Sequence, residues 1–228
     1  MNAALIIPAL NEEGAIGQVL DEVPDGLFGI VIVADNGSID KTAKVAAAHG
    51  AQVVHEPTRG YGNACLRALK ELPRDIEIVV FMDADGSDSP GEAERLLGPI
   101  LEGQADLVLG SREMGVSEPG SLSAHQRLGN FVTTLLVRLL CGHRYSDLGP
   151  FRAIRADRLR ELEMRDPNYG WTIEMQIKAL RRGLRVIEVP VSYRRRQAGE
   201  SKISGTVWGS LAAGIKILWT VARLSFSS

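Results

Sequence analysis

The sequence predicts an α/β fold in which helices flank a mostly parallel β-sheet, and two observations predict this class. Apolar runs of strand length alternate with helical patterns through the first half of the chain, and the links between them are short. Such alternation is typical of parallel sheets that carry helices on both faces. The 228 residues are enough for one sizeable domain with a small appendage.

The predicted strands are short apolar runs. The second run, GIVIVAD, has the length and the β-branched residues of a buried strand, and the first, AALIIPA, contains Pro8 near its end. The predicted strands cover residues 3–9, 29–35, 51–56, 76–83 and 105–112.

The predicted helices lie between these strands. Ile16, Val19, Leu20 and Val23 form the apolar stripe of the first helix. Residues 38–50 start with a Ser or Asp cap and end in a glycine, and residues 90–101 have a proline in the first turn. Residues 62–72 complete the set.

Polar residues follow four of the predicted strands at their carboxyl ends. These residues are Asn11 with Glu12, Asp35 to Ser38, Asp83 with Asp85, and Ser111 with Arg112. One acidic loop alone is weak evidence, because caps and turns also use Asp. Ligands of open α/β sheets bind at the carboxyl ends of the strands. Four polar loops at this edge therefore predict a binding crevice.

The stretch VVFMDADGSD (79–88) predicts a metal site. Asp83 and Asp85 alternate across one turn, and two carboxylates this close repel unless a proton or a cation lies between them. Mg²⁺ or Mn²⁺ commonly bridges one or two carboxylates to substrate phosphates. A calcium loop would need a longer ligand series, and a plain capped turn is the remaining alternative.

Charge is unevenly distributed along the chain. The net charge is only −2, which argues against a nucleic-acid partner. Residues 178–228 hold ten basic and two acidic residues, whereas residues 1–177 have a net charge of −10. This asymmetry predicts a basic end that meets an anionic partner, and a solvated basic face is the alternative.

Cysteine use and hydropathy predict a cytoplasmic protein, peripheral on the inner face of the cell membrane. Cys65 and Cys141 lie far apart in apolar contexts, as buried thiols of a reducing compartment do. The N-terminus lacks the pattern of a signal peptide, and no apolar stretch reaches the length that spans a bilayer.

Residues 205–228 predict a C-terminal amphipathic helix. The segment contains Trp208 and Trp219, and Lys216 and Arg223 interrupt its apolar residues. Such a helix can lie in a membrane interface with its basic groups toward anionic lipid. Two alternatives remain, because the helix can equally pack on the domain or in the seam of a homodimer.

The motifs of the chain resemble those of a known family. In order, they are IIPALNEE, VADNGSIDKT, RGYGNA, FMDADGSD, LGSR, SDLGPFRAI and GWTIEMQIKA. The sequence resembles glycosyltransferase family 2 over nearly its whole length. The tail RRRQAGESKISGT is similar to the dolichol-phosphate-mannose-synthase-like branch, which transfers sugars from nucleotide-sugars to polyprenyl phosphates. The resemblance implies a GT-A-type, Rossmann-like catalytic domain over residues 1–204.

The resemblance also implies which residues bind a UDP- or GDP-sugar donor. The implied donor-binding residues are Pro8, Ala9, Glu12, Asp35, Arg59, Gly62, Asp83 and Arg194. Asp35 corresponds to a carboxylate that accepts hydrogen bonds from the base. Asn36 replaces the second Asp of the usual family pattern, so this position has lost a charge.

The same resemblance implies the metal ligands and the groups around the diphosphate. Asp83, Asp85 and Ser87 would bind Mg²⁺ or Mn²⁺, with Ser87 at the place where several relatives have Gln. Arg194, Arg196 and Lys202 of the basic tail are candidates to neutralise the leaving group.

For the acceptor, the resemblance implies a polyprenyl phosphate and an inverting displacement. Arg112 and Arg127 correspond to phosphate-holding arginines of relatives, and Arg152 is a further candidate. A phosphate acceptor is already anionic and needs no base, whereas a hydroxyl acceptor needs one. Glu174 is the candidate base in that second case, and Trp171 beside it can stack on the sugar or simply pack.

Two other functions stay open at this point. One is a family 2 transferase that acts on a hydroxyl acceptor, soluble or lipid. The other is a nucleotide-sugar-binding protein without turnover.

Overall fold

The computed structural model describes residues 2–198 and Thr220. Within this part of the chain, seven strands form one sheet. They are β1 (Ala3–Ala9), β2 (Ile30–Asp35), β3 (Gln52–His55), β4 (Ile78–Phe81), β5 (Leu107–Ser111), β6 (Arg152–Arg155) and β7 (Val186–Pro190). Their order across the sheet is β3-β2-β1-β4-β6-β5-β7.

Seven α-helices of the described residues cover this sheet. They are α1 (Ile16–Asp21), α2 (Thr42–Ala48), α3 (Tyr61–Leu69), α4 (Ala93–Leu101), α5 (Ala124–Cys141), α6 (Ala156–Leu162) and α7 (Trp171–Arg181). A short 3₁₀ turn, Pro90–Glu92, precedes α4, and its proline stands in the first turn as predicted.

The sheet is mostly parallel, as predicted. β1 pairs in parallel with β2 and β4, β2 with β3, and β5 with β7. The exception is β6, which runs antiparallel between β4 and β5. The helical crossovers return each strand in the same direction, so the carboxyl ends of β1, β2, β4 and β5 meet at one edge.

Apolar layers cover both faces of the sheet. All seven residues of β1 are buried, as expected for a central strand that reads as a continuous apolar run. One layer contains buried residues of α1, α2 and α4, and the other those of α3, α6 and α7. Cys65 lies in the second layer and is a buried free thiol, as predicted.

One predicted boundary was wrong. Helix α2 begins at Thr42, not at Ser38, because Ser38 binds the neighbouring loop. Asp40 binds that loop through Oδ2 and accepts from the Thr42 amide, at the helix start, through Oδ1 at 2.9 Å. The Asn11 amide donates to Ser38 Oγ at 2.9 Å, and the Glu13 amide donates to Asp40 Oδ2 at 3.2 Å. These bonds join the loops that follow β1 and β2.

The predicted C-terminal helix, residues 205–228, lies outside the described residues apart from Thr220. Thr220 is helical and buried, and its hydroxyl lies 3.4 Å from Asp166 Oδ2. Among the described residues, no helix is both long and apolar enough to cross a membrane.

Candidate active site

A cleft of about 570 Å³ opens at the edge of the sheet where β1, β4 and β5 end. Eight of the site residues predicted from the sequence line it: Pro8, Ala9, Glu12, Arg59, Asp83, Asp85, Arg112 and Arg196. The crevice predicted at the carboxyl ends of the strands is therefore present, and all four polar loops deliver residues to it.

The second loop contributes Asn36 to the cleft lining rather than Asp35. Asp35 is 4% exposed, and its carboxylate accepts from the Ser38 amide at 3.1 Å and contacts His55 Nδ1 at 3.0 Å. The predicted base-binding carboxylate thus lies just behind the lining, held in place by a histidine.

Asn36 ties the second loop to the loop before α3. Its Nδ2 donates to the carbonyls of Glu56 and Thr58 at 3.1 and 2.8 Å, and its Oδ1 accepts from the Gly60 amide at 2.8 Å. An aspartate at this position has no donor for the two carbonyls. The Asn at position 36, where the family pattern has Asp, therefore holds in place the loop that brings Arg59 and Gly60 into the cleft lining.

The acidic loop after β4 holds three buried or half-buried carboxylates, on Asp83, Asp85 and Asp88. Burial, followed by repulsion from Asp85, raises the pKa of Asp83 to about 7. Burial and the two neighbouring carboxylates also raise the pKa of Asp88. The loop thus concentrates negative charge where solvent cannot screen it.

The donor atoms of this loop fit a hard dication. The available ligands are carboxylate oxygens, and Asp88 Oδ1 is buried without a hydrogen bond among the described residues. Ser87 donates to Asp85 Oδ1 through its amide at 2.9 Å and also through its hydroxyl. Ser87 therefore orients Asp85, and in this arrangement its hydroxyl is already engaged.

Within the described part of the chain, no group of three or more His, Cys, Asp or Glu residues is arranged to hold a metal ion. A dication at Asp83 and Asp85 would therefore take its other ligands from water or from a diphosphate, as Mg²⁺ usually does.

Residues 193–198 run across the acidic loop. The Arg194 amide donates to the Ser87 carbonyl at 2.8 Å, and the Gln197 amide donates to the Asp85 carbonyl at 3.0 Å. Arg196 lines the cleft and bridges Glu12 at 2.7 Å and Asp85 at 2.9 Å. The guanidinium of Arg196 thus offsets the charge of these two carboxylates in the cleft.

Arg194 has a different environment from the one the resemblance implied. Its side chain pairs with Glu22 at 2.8 Å and donates to Ser89 Oγ at 3.0 Å, and it is not among the cleft-lining residues. Lys202 lies outside the described residues. Arg196 is therefore the basic-tail residue that the described structure brings into the cleft.

Arg112 lines the cleft beside the acidic loop, where its charge acts on the carboxylates of Asp83 and Asp88. Its Nε and Nη2 donate to the two carboxylate oxygens of Asp147, each at 2.7 Å, and its guanidinium carbon lies 4.9 Å from the centre of the Tyr193 ring. Burial opposes the charged form of Asp147, but the hydrogen bonds and charge of Arg112 hold its pKa below the ordinary value. Arg112 is thus a fixed cation.

Glu174 does not line the cleft. Its carboxylate is 1% exposed, accepts from the Asp166 amide at 2.7 Å and the Arg165 amide at 3.1 Å, and pairs with Lys178 at 2.8 Å. These partners anchor the segment before α7 and leave Glu174 with a structural environment rather than that of a base facing substrate.

Four other candidates also lie outside the cleft lining. Arg127 is exposed on α5, where its neighbour Gln126 is the residue that reaches the cleft. Gly62 packs against the backbone of residues 166–167. Arg152 is buried and donates to the carbonyls of Gly149 and Thr172, and Trp171 packs edge-on against Phe81.

Sequence reasoning missed much of the wall formed by the second half of the chain. The residues it missed there are Gln126, Leu148, Pro150, Asn168, Tyr169, Thr172 and Tyr193, and in the first half it missed Leu10, Tyr61 and Ala64. The stretches SDLGP and DPNYG that hold several of them are rich in Gly, Pro and Asp, which signals loops.

The fold and the site together define an α/β enzyme with a ligand cleft at the carboxyl edge, lined by carboxylates and arginines that lie close together. The chain belongs to glycosyltransferase family 2, since the profile described as glycosyl transferase family 2 matches residues 4–163. It is accordingly a glycosyltransferase with the GT-A-type architecture.

Relatives in other organisms agree with this family. An uncharacterized glycosyltransferase of Mycobacterium tuberculosis is 39% identical over 95% of this chain and 96% of its own length. The undecaprenyl-phosphate mannosyltransferase of Micrococcus luteus is 31% identical over 98% of this chain and 96% of its own length. The dolichyl-phosphate hexose transferase of Haloferax volcanii is 33% identical over 91% of this chain and 89% of its own length.

Solved structures share the fold. The crystal structure of glucosyl-3-phosphoglycerate synthase from Mycobacterium tuberculosis, in complex with Mn²⁺, uridine diphosphate and phosphoglyceric acid, has a TM-score of 0.78 with this chain. The two are 26% identical, and the match covers 100% of this chain and 79% of that one.

Proposed function

We propose that the chain is an inverting glycosyltransferase that moves a sugar from a nucleoside-diphosphate sugar to a polyprenyl phosphate, with Mg²⁺ or Mn²⁺ at Asp83 and Asp85. The observation that supports a phosphate acceptor is the placement of carboxylates. Among the described residues that line the cleft, the carboxylates are Glu12, Asp83 and Asp85, and Arg196 pairs with two of them. Glu174 is held by two amides and Lys178, so it is poorly placed to act as a base.

The part of the cleft around Glu12, Asp83 and Asp85 is the proposed donor site. The loop that Asn36 holds in place brings Arg59 into the cleft lining. Asp35, the predicted partner of the nucleotide base, lies behind this lining. A bound Mg²⁺ or Mn²⁺ would neutralise the charge that develops on the diphosphate leaving group. Mn²⁺ and uridine diphosphate occur together in the solved relative, which supports this use of the acidic loop.

The part of the cleft around Arg112 is the proposed acceptor site. Arg112 uses Nε and Nη2 for Asp147, and Nη1 takes no part in that pair. A phosphate held by this guanidinium keeps the charge that makes its oxygen a nucleophile. That oxygen attacks the anomeric carbon, the bond to the diphosphate oxygen breaks, and the nucleoside diphosphate leaves from the opposite side.

A hydroxyl acceptor is the second candidate. The solved relative is a synthase of glucosyl-3-phosphoglycerate, crystallised with phosphoglyceric acid, and its fold covers this whole chain. In that case a base is needed, and Glu174 would have to leave its partners. A nucleotide-sugar-binding protein without turnover is the third reading, and the fixed cation Arg112 beside the acidic loop argues for catalysis instead.

The first test is turnover with a panel of UDP- and GDP-sugars, with Mn²⁺ or Mg²⁺, on a polyprenyl phosphate and on the matching polyprenol. We expect a glycolipid product with the phosphate only. Asp85→Asn should abolish metal-dependent turnover, whereas Glu174→Gln should cost less than about tenfold, because loss of a general base costs about 10²–10⁴-fold.

The alternatives give different results in the same assay. Transfer to the polyprenol or to phosphoglyceric acid, with a loss of about 10²-fold or more in Glu174→Gln, would identify a hydroxyl acceptor. Donor binding with no product on any acceptor would identify a binding protein. A thermal melt of each variant separates loss of catalysis from loss of the fold.

A further inference from the structure

Helix α5 has an exposed apolar stripe that the donor and acceptor sites do not use. The stripe consists of Leu128, Phe131, Val132, Leu135 and Leu139, which are 62%, 63%, 37%, 40% and 71% exposed. Their spacing places them along one side of the helix, away from the buried Thr133 and Val137. A contiguous exposed apolar patch of this kind marks a surface that contacts a partner.

The surroundings of the stripe are basic. Residues 119–146 contain no Asp or Glu, but they contain Arg127, Arg138 and Arg144. All three arginines are exposed, and Arg127 and Arg138 lie on α5 beside the stripe. An apolar face bordered by arginines, without acidic residues, is complementary to an anionic lipid surface.

Helix α5 is also tied to the rim of the cleft. Gln126, in its first turn, lines the cleft. Asn130, one turn further along, accepts from the Leu148 amide at 3.0 Å and donates to the Ser146 carbonyl at 3.2 Å, and Leu148 lines the cleft as well. A surface that binds the stripe therefore lies next to the cleft mouth.

We propose that the stripe of α5 docks in the interfacial layer of an anionic membrane, so that the cleft opens beside the lipid in which a polyprenyl phosphate is embedded. The inference rests on the proposed function and adds to it the surface by which the enzyme reaches its acceptor. It assigns membrane contact to a helix within the catalytic domain, in addition to anything that the C-terminal segment does.

Two other occupants fit the observations less well. In a two-fold dimer the stripes of two copies would pair with each other, which brings Arg127 of one copy toward Arg138 of the other with no carboxylate in the segment to separate them. Thr220, the described residue of the C-terminal segment, lies against Asp166 and Gly170, which come before α7 and not on α5.

The test compares variants of the full chain in co-sedimentation with vesicles of phosphatidylcholine, alone or mixed with phosphatidylglycerol, and without any donor. Phe131→Gln combined with Leu139→Gln removes two of the most exposed apolar groups and keeps a good helix former at both sites. Ile39→Gln is the matched control, since Ile39 is 89% exposed outside α5.

We expect the wild type and Ile39→Gln to bind the mixed vesicles, and the double α5 variant to bind at least about tenfold more weakly. Arg138→Gln should lose about fivefold on the mixed vesicles and little on phosphatidylcholine alone. Unchanged vesicle binding by the double variant would overturn the proposal. So would a wild-type dimer in light scattering that the double variant converts to monomer.

Turnover separates this proposal from the proposed function. With a short-chain, water-soluble polyprenyl phosphate, the double variant should keep the wild-type rate, whereas on long-chain acceptor in mixed vesicles it should lose activity in parallel with binding. If the wild type makes no glycolipid from either acceptor, the proposed function fails, and the vesicle-binding result still decides whether α5 docks.

Discussion

Asn36 illustrates how one side chain sets the geometry of a loop in the proposed donor site. Its amide supplies two donors and one acceptor to the loop before α3, and an aspartate can supply only acceptors. From the sequence, the Asn at this position was read as the loss of a charge. The structure gives it a second meaning, because the same substitution adds the donors that hold Arg59 and Gly60 at the cleft.

Asn36→Asp should therefore loosen the donor loop. Two partly buried carbonyls lose their donor and face a carboxylate, so we expect a loss of about 1–3 kcal/mol in the free energy of unfolding and weaker binding of the donor nucleotide. Urea unfolding and nucleotide titration by calorimetry measure both. Asn63→Asp, at a side chain that donates to the Thr58 and Arg59 carbonyls from an exposed position, should cost less. Equal effects of the two changes would contradict the clamp.

The Arg112–Asp147 pair predicts a specific dependence of stability on acid. Asp147 has a pKa below its ordinary value in the folded protein, so its contribution to stability is complete above about pH 4 and is lost as pH falls through the folded-state pKa. Asp147→Asn should be less stable than the wild type near neutral pH, and the difference should shrink below about pH 4. Urea unfolding across this range measures it, and a difference independent of pH would exclude the pair as its source.

Motif positions were predictable from the sequence, but the partners of each side chain were not. Glu12, Asp83, Asp85 and Arg112 line the cleft because loop position relative to a strand decides which edge they reach. Glu174 and Arg194 have motif positions too, but ion pairs with Lys178 and Glu22 hold them elsewhere. Such competition between long-range partners leaves no local pattern in the sequence.

The start of α3 depends on close packing against the segment before α7. A Cβ on Gly62 would lie 1.9 Å from the Asp166 carbonyl oxygen, and the Asn63 amide donates to the Pro167 carbonyl at 2.9 Å. The backbone of residues 166–167 thus caps the helix that carries Tyr61 into the cleft. Gly62 was predicted to bind the donor, and in the structure its missing side chain permits this close packing.

Gly62→Ala should destabilise the protein by at least about 1–3 kcal/mol, because backbone atoms cannot yield as a flexible side chain does. Gly129→Ala on α5 is the matched control. A Cβ there meets nothing within 4 Å, so the alanine should stabilise the helix by about 0.5–1 kcal/mol. Thermal melts of both variants test the pair, and similar shifts in the two would contradict the packing argument.

Strands and helices of the first half were predictable because each has its own apolar period and turn residues. The position of β6 was not, since its antiparallel insertion between β4 and β5 depends on pairing partners far away in sequence. The predicted start of α2 was wrong for a related reason, since Ser38 has its partner in another loop and the helix begins only after Asp40. Local sequence patterns therefore predict which helices and strands form, whereas tertiary contacts determine where they end and which strands pair.

Across the whole chain, the basic end partly neutralises the acidic remainder. Arg194 pairs with Glu22, Arg196 with Glu12 and Asp85, and Arg185 with Asp106. The anionic partner expected for the basic end is therefore, in part, the acidic edge of the same domain. Arg196 makes the most consequential of these contacts, because it lines the cleft and pairs with two of the carboxylates there.

The buried carboxylates of the acidic loop make the stability of the metal-free protein depend on pH. Asp83 has a pKa of about 7 in the fold and an ordinary value of 3.8. Between these values the folded protein keeps a proton that the unfolded chain has released, so the free energy of unfolding falls as pH rises. Above pH 7 the loop is charged, and a dication held by Asp83 and Asp85 would take the place of the proton.

Saturating Mn²⁺ should therefore raise the melting temperature little at about pH 5 and most above about pH 7, because metal and proton compete for the same carboxylates. Melts with Mn²⁺ or with a chelator across this range measure the increment. Asp83→Asn removes the titrating group and should lose both the increment and its pH dependence, whereas Asp157→Asn, at an exposed ion pair with Arg155, should keep both. An increment that does not change with pH would show that the metal binds elsewhere than at Asp83.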